Sequence, residues 1–191
     1  MALDLLVTFA LLLLNGFFVA AEFAIVKVRA AQVDLKANKG NRIAGIAKHI
    51  VEHLDAYLSA NQLGITMTSL ALGWFGEEVF SDIIIRIFTF AGLDLDPASA
   101  HKFAFPAAFG LLTVLHIVLG ELAPKTIAIR YPLSTTLSVS LPLRIFYIIF
   151  APLIWVLNNM ANLLLRLIGI KPTIGHEIHT EEELRLILTE S

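Results

Sequence analysis

The sequence has no cysteine at any of its 191 positions. That excludes disulfides, thiolate metal ligands and cysteine nucleophiles together, and it leaves the redox compartment open. Charge is scarce as well. Asp, Glu, Lys and Arg make up 16% of the chain, where a soluble domain carries about a quarter. Hydrophobic residues make up 57% and the mean hydropathy is +0.78, so a bilayer is the natural solvent. Acidic and basic residues nearly cancel, to a net −2, and no bulk charge points to nucleic acid. Enzyme signatures are missing too: there is no HExxH, GxSxG or glycine-rich phosphate loop. The expectation is a protein that is not an enzyme. The opening MALDLLVTFALLLL lacks a basic n-region and a small-residue cleavage site, so it is expected to stay as a span and not to be removed as a signal peptide.

What is present is a set of long apolar runs. A crossing helix needs about 20 mostly apolar residues. Residues 5–26, 56–76 and 103–119 answer that requirement, and 145–165 is a fourth candidate. Lys27, Arg29, Lys36, Lys39, Arg42 and Lys48 lie between the first two runs, while the loop near 92–102 is mildly acidic. The positive-inside rule then puts 27–55 in the cytoplasm and the N-terminus outside. Hydropathy lets 145–165 span. Pro142, Pro152 and the cluster Asn158, Asn159, Asn162 favour helices lying in the cytoplasmic interface, in contact with membrane lipids; the latter is the reading adopted. Thr180 and Glu183 form a capping box that opens an amphipathic helix at the tail.

Polar residues inside the runs carry the chemistry. Asn15 sits in mid-span beside Gly16, where a packing role as interhelical glue competes with a functional one. Glu22 follows two turns later, near Lys27 and Arg29 as ion-pair partners. On the second span Gln62, Thr66 and Ser69 are spaced i, i+4, i+7, a stripe of oxygens on one helix face, read as lining a polar cavity. His49 and His53 stand i, i+4 in the basic segment. That spacing suits zinc, although a solvated helix face is the plainer reading.

The third run ends in GELAPK, residues 120–125. Pro124 has no N–H, so in a regular helix the carbonyl of Gly120 is left without its partner. The Glu121 carboxylate stands next to that bare carbonyl. Oxygen ligands of these kinds suit a hard cation such as Mg²⁺ or Ca²⁺, and transporters use irregular backbone at membrane depth in this way. The competing reading of Glu121 is an i, i+4 ion pair with Lys125. His116, five residues before Glu121, is ranked as a packing residue.

Taken together, NGFFVAAEFAIVKVR, LDAYLSANQLGITMTSLALGWFGE, HIVLGELAPKTIAI and HTEEELRLIL resemble the CorC / cyclin M (CNNM) family, specifically its membrane module, the domain of unknown function 21. The resemblance implies an all-α integral membrane fold with three transmembrane helices, short cytoplasmic helices and an interfacial juxtamembrane belt. The layout expected is a transmembrane module at 1–130, with spans near 3–27, 56–88 and 102–124 and cytoplasmic helices near 29–54. A belt at 131–172 follows, and 173–191 begins an acidic helix leading to CBS domains absent from this chain. The resemblance further implies a multi-pass protein of the cell membrane, with its C-terminus cytoplasmic. It implies a homodimer, nucleotide binding only through the absent CBS domains, and Mg²⁺ transport, usually efflux, with Na⁺ as coupling ion. Carried over by motif, the ion site takes Ser69, Gly120 and Glu121, with Asn15 and the backbone near Ala20 from the first span. Many relatives carry serines where this chain has Asn15 and Ala20–Ala21. A membrane-anchored Mg²⁺ sensor that regulates another transporter is the alternative function.

Overall fold

Every element among the described residues is helical. The computed structural model describes residues 2–92 and 97–169, except for the side chains of 97, 98 and 101; the acidic segment 173–191 lies outside them. Helix α1 runs Ala2–Lys27, α2 Ala30–Asn38, α3 Arg42–Glu52 and α4 Leu54–Phe90. Helix α5 (Pro97–Leu115) continues into a π-helical segment, His116–Leu122, and then α6 (Ala123–Arg130); α7 runs Pro132–Leu167. The chain divides into two compact units after Ile154.

Local sequence explains the breaks. Asn41 accepts the backbone N–H groups of Ile43 and Ala44 at 3.0 and 3.1 Å, which caps α3. Gly40, at φ 82°, takes the left-handed turn that ends α2 and that few other residues adopt cheaply. Three helical stretches are long and apolar enough to cross a membrane: Ala2–Lys27, Lys102–Arg130 and Pro132–Leu167. Composition thus selects α7, with its two internal prolines, and passes over α4. The 145–165 run, read from sequence as interfacial, lies within a single helix that continues through Pro142 and Pro152. Helix α4 has 37 residues, about 55 Å at 1.5 Å per residue, well beyond the roughly 30 Å of hydrocarbon. Its mean hydropathy is lowered by Glu77, Glu78, Asp82 and Arg86 in its second half.

Packing within the first unit centres on α1, which lies against α4, the π segment and α6. Leu12, Leu72 and Leu112 join α1, α4 and α5. Ala21 and Ile25 of α1 meet Ile50, Tyr57, Val139 and Leu143, so the first part of α7 is packed onto α1, α3 and α4. Lipid tails are as apolar as leucine, so van der Waals fit and interhelical hydrogen bonds, not water exclusion, hold such helices together. Gly64 is where that fit is tightest. A Cβ there would stand 2.5 Å from the ring of Phe18, itself only 2% exposed. Gly64→Ala is therefore expected to destabilise the module by about 1–3 kcal/mol through overpacking. Gly73→Ala, whose Cβ meets nothing within 4 Å, should leave thermal unfolding in detergent unchanged or slightly raised. Equal melting temperatures for the two variants would contradict the packing assignment.

Candidate functional site

The buried face of α4 is marked by Tyr57, Asn61, Gly64, Thr68, Leu72, Gly76 and Val79, each three or four residues after the one before. It meets the stretch of α1 around Asn15, which is 1% exposed. The Asn15 Nδ2 donates to the Gly120 carbonyl at 3.0 Å. On the other side, Ser69 Oγ donates to Asn15 Oδ1 at 3.0 Å, and Thr68 Oγ1 lies at the same distance from that oxygen. A carbonyl can only accept, so the amide orientation is fixed by chemistry: nitrogen toward Gly120, oxygen toward the hydroxyls. Thr68 also lies 2.8 Å from the Gly64 carbonyl, and its single proton serves one acceptor at a time. One side chain thus links α1, α4 and the π segment.

The π segment explains why the Gly120 carbonyl is available. The Ala123 N–H bonds to the Val118 carbonyl, an i→i+5 spacing. Pro124 can serve neither Leu119 at π spacing nor Gly120 at α spacing. Close approach makes the bond possible. A Cβ on Gly16 would stand 2.9 Å from Pro124 Cγ, and one on Gly120 would stand 2.8 Å from His116 and 3.1 Å from Asn15 Nδ2. Neither position has room for alanine without displacing the Asn15 contact.

Of the residues singled out in the sequence, Asn15, Ser69 and Gly120 are brought together here. Glu121 is next to them in sequence but exposed, and it makes no hydrogen bond or ion pair among the described residues. The ion pair with Lys125 is not formed; the Lys125 ammonium sits 4.5 Å over the Phe23 ring instead, a cation–π contact. Gln62 and Thr66 are both exposed, and Thr66 returns its hydroxyl to the Gln62 carbonyl at 2.8 Å. Ala20 and Glu22 are half-buried on α1, outside the hydrogen-bonded cluster. The carbonyl of Ala20 lies inside a continuous helix, where i→i+4 bonding uses it.

Two residues were missed. Thr68 belongs to the cluster, and Asn61 lies on the same buried face. Asn61 is 0% exposed, and neither amide atom has a hydrogen-bond partner among the described residues. The small residues Gly64 and Gly76 were the available signal, because they mark the face that approaches another helix. The stripe Gln62, Thr66, Ser69 lies at the edge of that face: Ser69 reaches Asn15, while Gln62 and Thr66 are exposed.

Removing the Asn15 amide leaves a carbonyl and a hydroxyl without partners, which costs about 1–3 kcal/mol. Asn15→Ala should therefore lower the melting temperature more than Ser69→Ala, which leaves the Gly120 bond intact. The double variant should fall short of the sum, since both changes break one shared bond; strict additivity would show that the network is not coupled. Asn61→Leu, by contrast, removes an unsatisfied buried amide and is expected to hold or raise the melting temperature.

Comparison with known proteins adds an independent line. A family model described as the Cyclin M transmembrane N-terminal domain matches residues 6–191. The chain is 47% identical over 182 residues to UPF0053 protein YhdT of Bacillus subtilis, covering 95% of this chain and 39% of the relative. It is 44% identical over 190 residues to UPF0053 protein YrkA of the same organism, covering 99% and 43%. It is 34% identical over 190 residues to UPF0053 protein sll0260 of Synechocystis sp., covering 97% and 41%. The chain spans about two fifths of the length of these relatives. An all-helical membrane chain matched over nearly its whole length by one family model has a plain assignment: it belongs to the Cyclin M transmembrane N-terminal domain family.

Proposed function

We propose that the chain is the membrane module of a divalent-cation transporter, carrying Mg²⁺ out of the cell in exchange for Na⁺ by alternating access. The observation that carries this reading is the buried oxygen cluster of Asn15, Ser69, Thr68 and Gly120, with the unpaired Glu121 carboxylate next in sequence. Family membership and the resemblance of the GELAPK segment support it. Polar groups at membrane depth mark ion pathways more often than structure alone would require.

The geometry suggests how binding and release are coupled. With no ion, the Asn15 nitrogen caps the Gly120 carbonyl, so the cluster satisfies itself. For that carbonyl to face a cation, the Asn15 amide has to turn away. A half-turn of the amide would bring Oδ1 to the same side as the carbonyl oxygen. Ligand exchange within the protein thereby offsets part of the dehydration that Mg²⁺ resists. Glu121 is exposed and would swing in as the single charged ligand. A 2+ ion facing one carboxylate keeps an excess of +1, which favours release as much as capture. Under this reading α1, α4 and the 102–130 stretch surround the ion path, and the basic segment 27–55 faces the cytoplasm.

Flux into liposomes decides the matter. The full-length protein, reconstituted without any partner and loaded with a Mg²⁺-sensitive dye, should show Mg²⁺ movement. Glu121→Gln should reduce it at least tenfold, about 1.4 kcal/mol or more. Wild-type flux that survives Glu121→Gln unchanged would sink the site assignment. Absence of flux from intact protein, with Mg²⁺-dependent thermal stabilisation preserved, would favour a sensor that regulates another transporter.

A further inference from the structure

The junction between α3 and α4 carries a group of side chains unrelated to the intramembrane cluster. His49, Glu52 and His53 occupy positions i, i+3 and i+4 at the end of α3, and each offers a ligand atom within 4.8 Å of the others. The two imidazole rings are 4.2 Å apart at 38°. The Nδ1 of His53 lies 2.9 Å from the His49 carbonyl oxygen. A carbonyl only accepts, so Nδ1 carries a proton, and in the neutral ring Nε2 is left with the free lone pair. Metal-bound histidines are oriented in this way, with the second nitrogen tied to a backbone carbonyl. Among the described residues Glu52 is held only by a long ion pair of 3.8 Å to Lys48, whose shorter contact is to Asp34 at 3.0 Å. Lys48 therefore keeps its closer partner, Asp34, when Glu52 is engaged elsewhere.

We propose that His49, Glu52 and His53 form a binding site for a borderline divalent transition metal of the Zn²⁺ class, with water completing the coordination. Two nitrogens and one carboxylate match the ligand preference of Zn²⁺, Co²⁺ or Ni²⁺. Mg²⁺ prefers oxygen throughout, so this site does not compete for the ion proposed as cargo. Its place gives it leverage on the fold. His53 ends α3 and immediately precedes α4, the helix that carries Thr68 and Ser69. A metal bridging His49 and Glu52 to His53 ties the residue between the two helices to the last turn of α3. The proposal stands independently of the transport reading.

The test uses protein purified without a histidine tag and titrated with Zn²⁺, and with Co²⁺ as a visible probe. Saturable binding is expected, undisturbed by excess Mg²⁺. His49→Gln and His53→Gln should each weaken it at least about tenfold, as losing even a supporting partner of a metal ligand does, and Glu52→Gln should weaken it less. Binding undiminished in both histidine variants would overturn the proposal and point to His176 and His179 in the tail. Competition by Mg²⁺ at equal concentration would also overturn it. Should a variant fail to fold, carbethoxylation of the wild-type protein reads the same question by mass spectrometry: Zn²⁺ should protect His49 and His53, and unaltered labelling of both rejects the site.

Discussion

The bond from the Asn15 amide to the Gly120 carbonyl is the constraint on which the rest of the buried structure depends. Within a membrane, burying leucine against leucine gains little, because lipid offers the same environment. Helices stay together through close fit and a few directional contacts. Asn15 supplies two directions from one side chain, nitrogen to the π segment and oxygen to α4. The glycines at 16, 64 and 120 make those distances reachable, since each occupies a place where a Cβ would collide with the neighbouring helix or side chain. Hydrogen bond and close packing are one device here, and neither would form at these distances alone.

The π segment is a second consequence of local chemistry with a global effect. Proline in a helix interior costs a backbone hydrogen bond, about 3 kcal/mol or more when nothing compensates. Here the i→i+5 register before Pro124 and the Asn15 amide share the compensation. The carbonyl is thereby held by a side chain that can rotate, where a backbone N–H could not let go without local unfolding. π-helical turns concentrate at functional sites, and under the proposed reading a releasable partner makes this carbonyl available to a cation.

Some of this was legible in the chain as written. The apolar runs and scarce charge announced helices in a bilayer, and Pro124 pointed to the Gly120 carbonyl. Three of the residues marked as ligands, Asn15, Ser69 and Gly120, do converge. Gln62 and Thr66 do not, because an amphipathic pattern identifies faces but not which one meets another helix. Both faces of α4 carry oxygen atoms, and only the face with Gly64 is narrow enough to approach Phe18 of α1. The cluster's fourth member, Thr68, is not singled out by that pattern for the same reason.

The sequence by itself therefore determined the helical class, the membrane as solvent and the position where the backbone is irregular. These follow from composition, run length and the missing N–H of proline, all of which act within a few residues along the chain. Only the tertiary structure decided who occupies the freed carbonyl. Asn15 lies 105 residues before Gly120, and nothing local to either residue specifies the other. It decided too that Glu121 is exposed and that Lys125 rests on Phe23 and forms no pair with Glu121. Those outcomes depend on which helix faces come within 3 Å of one another, a competition among packings that no single segment contains.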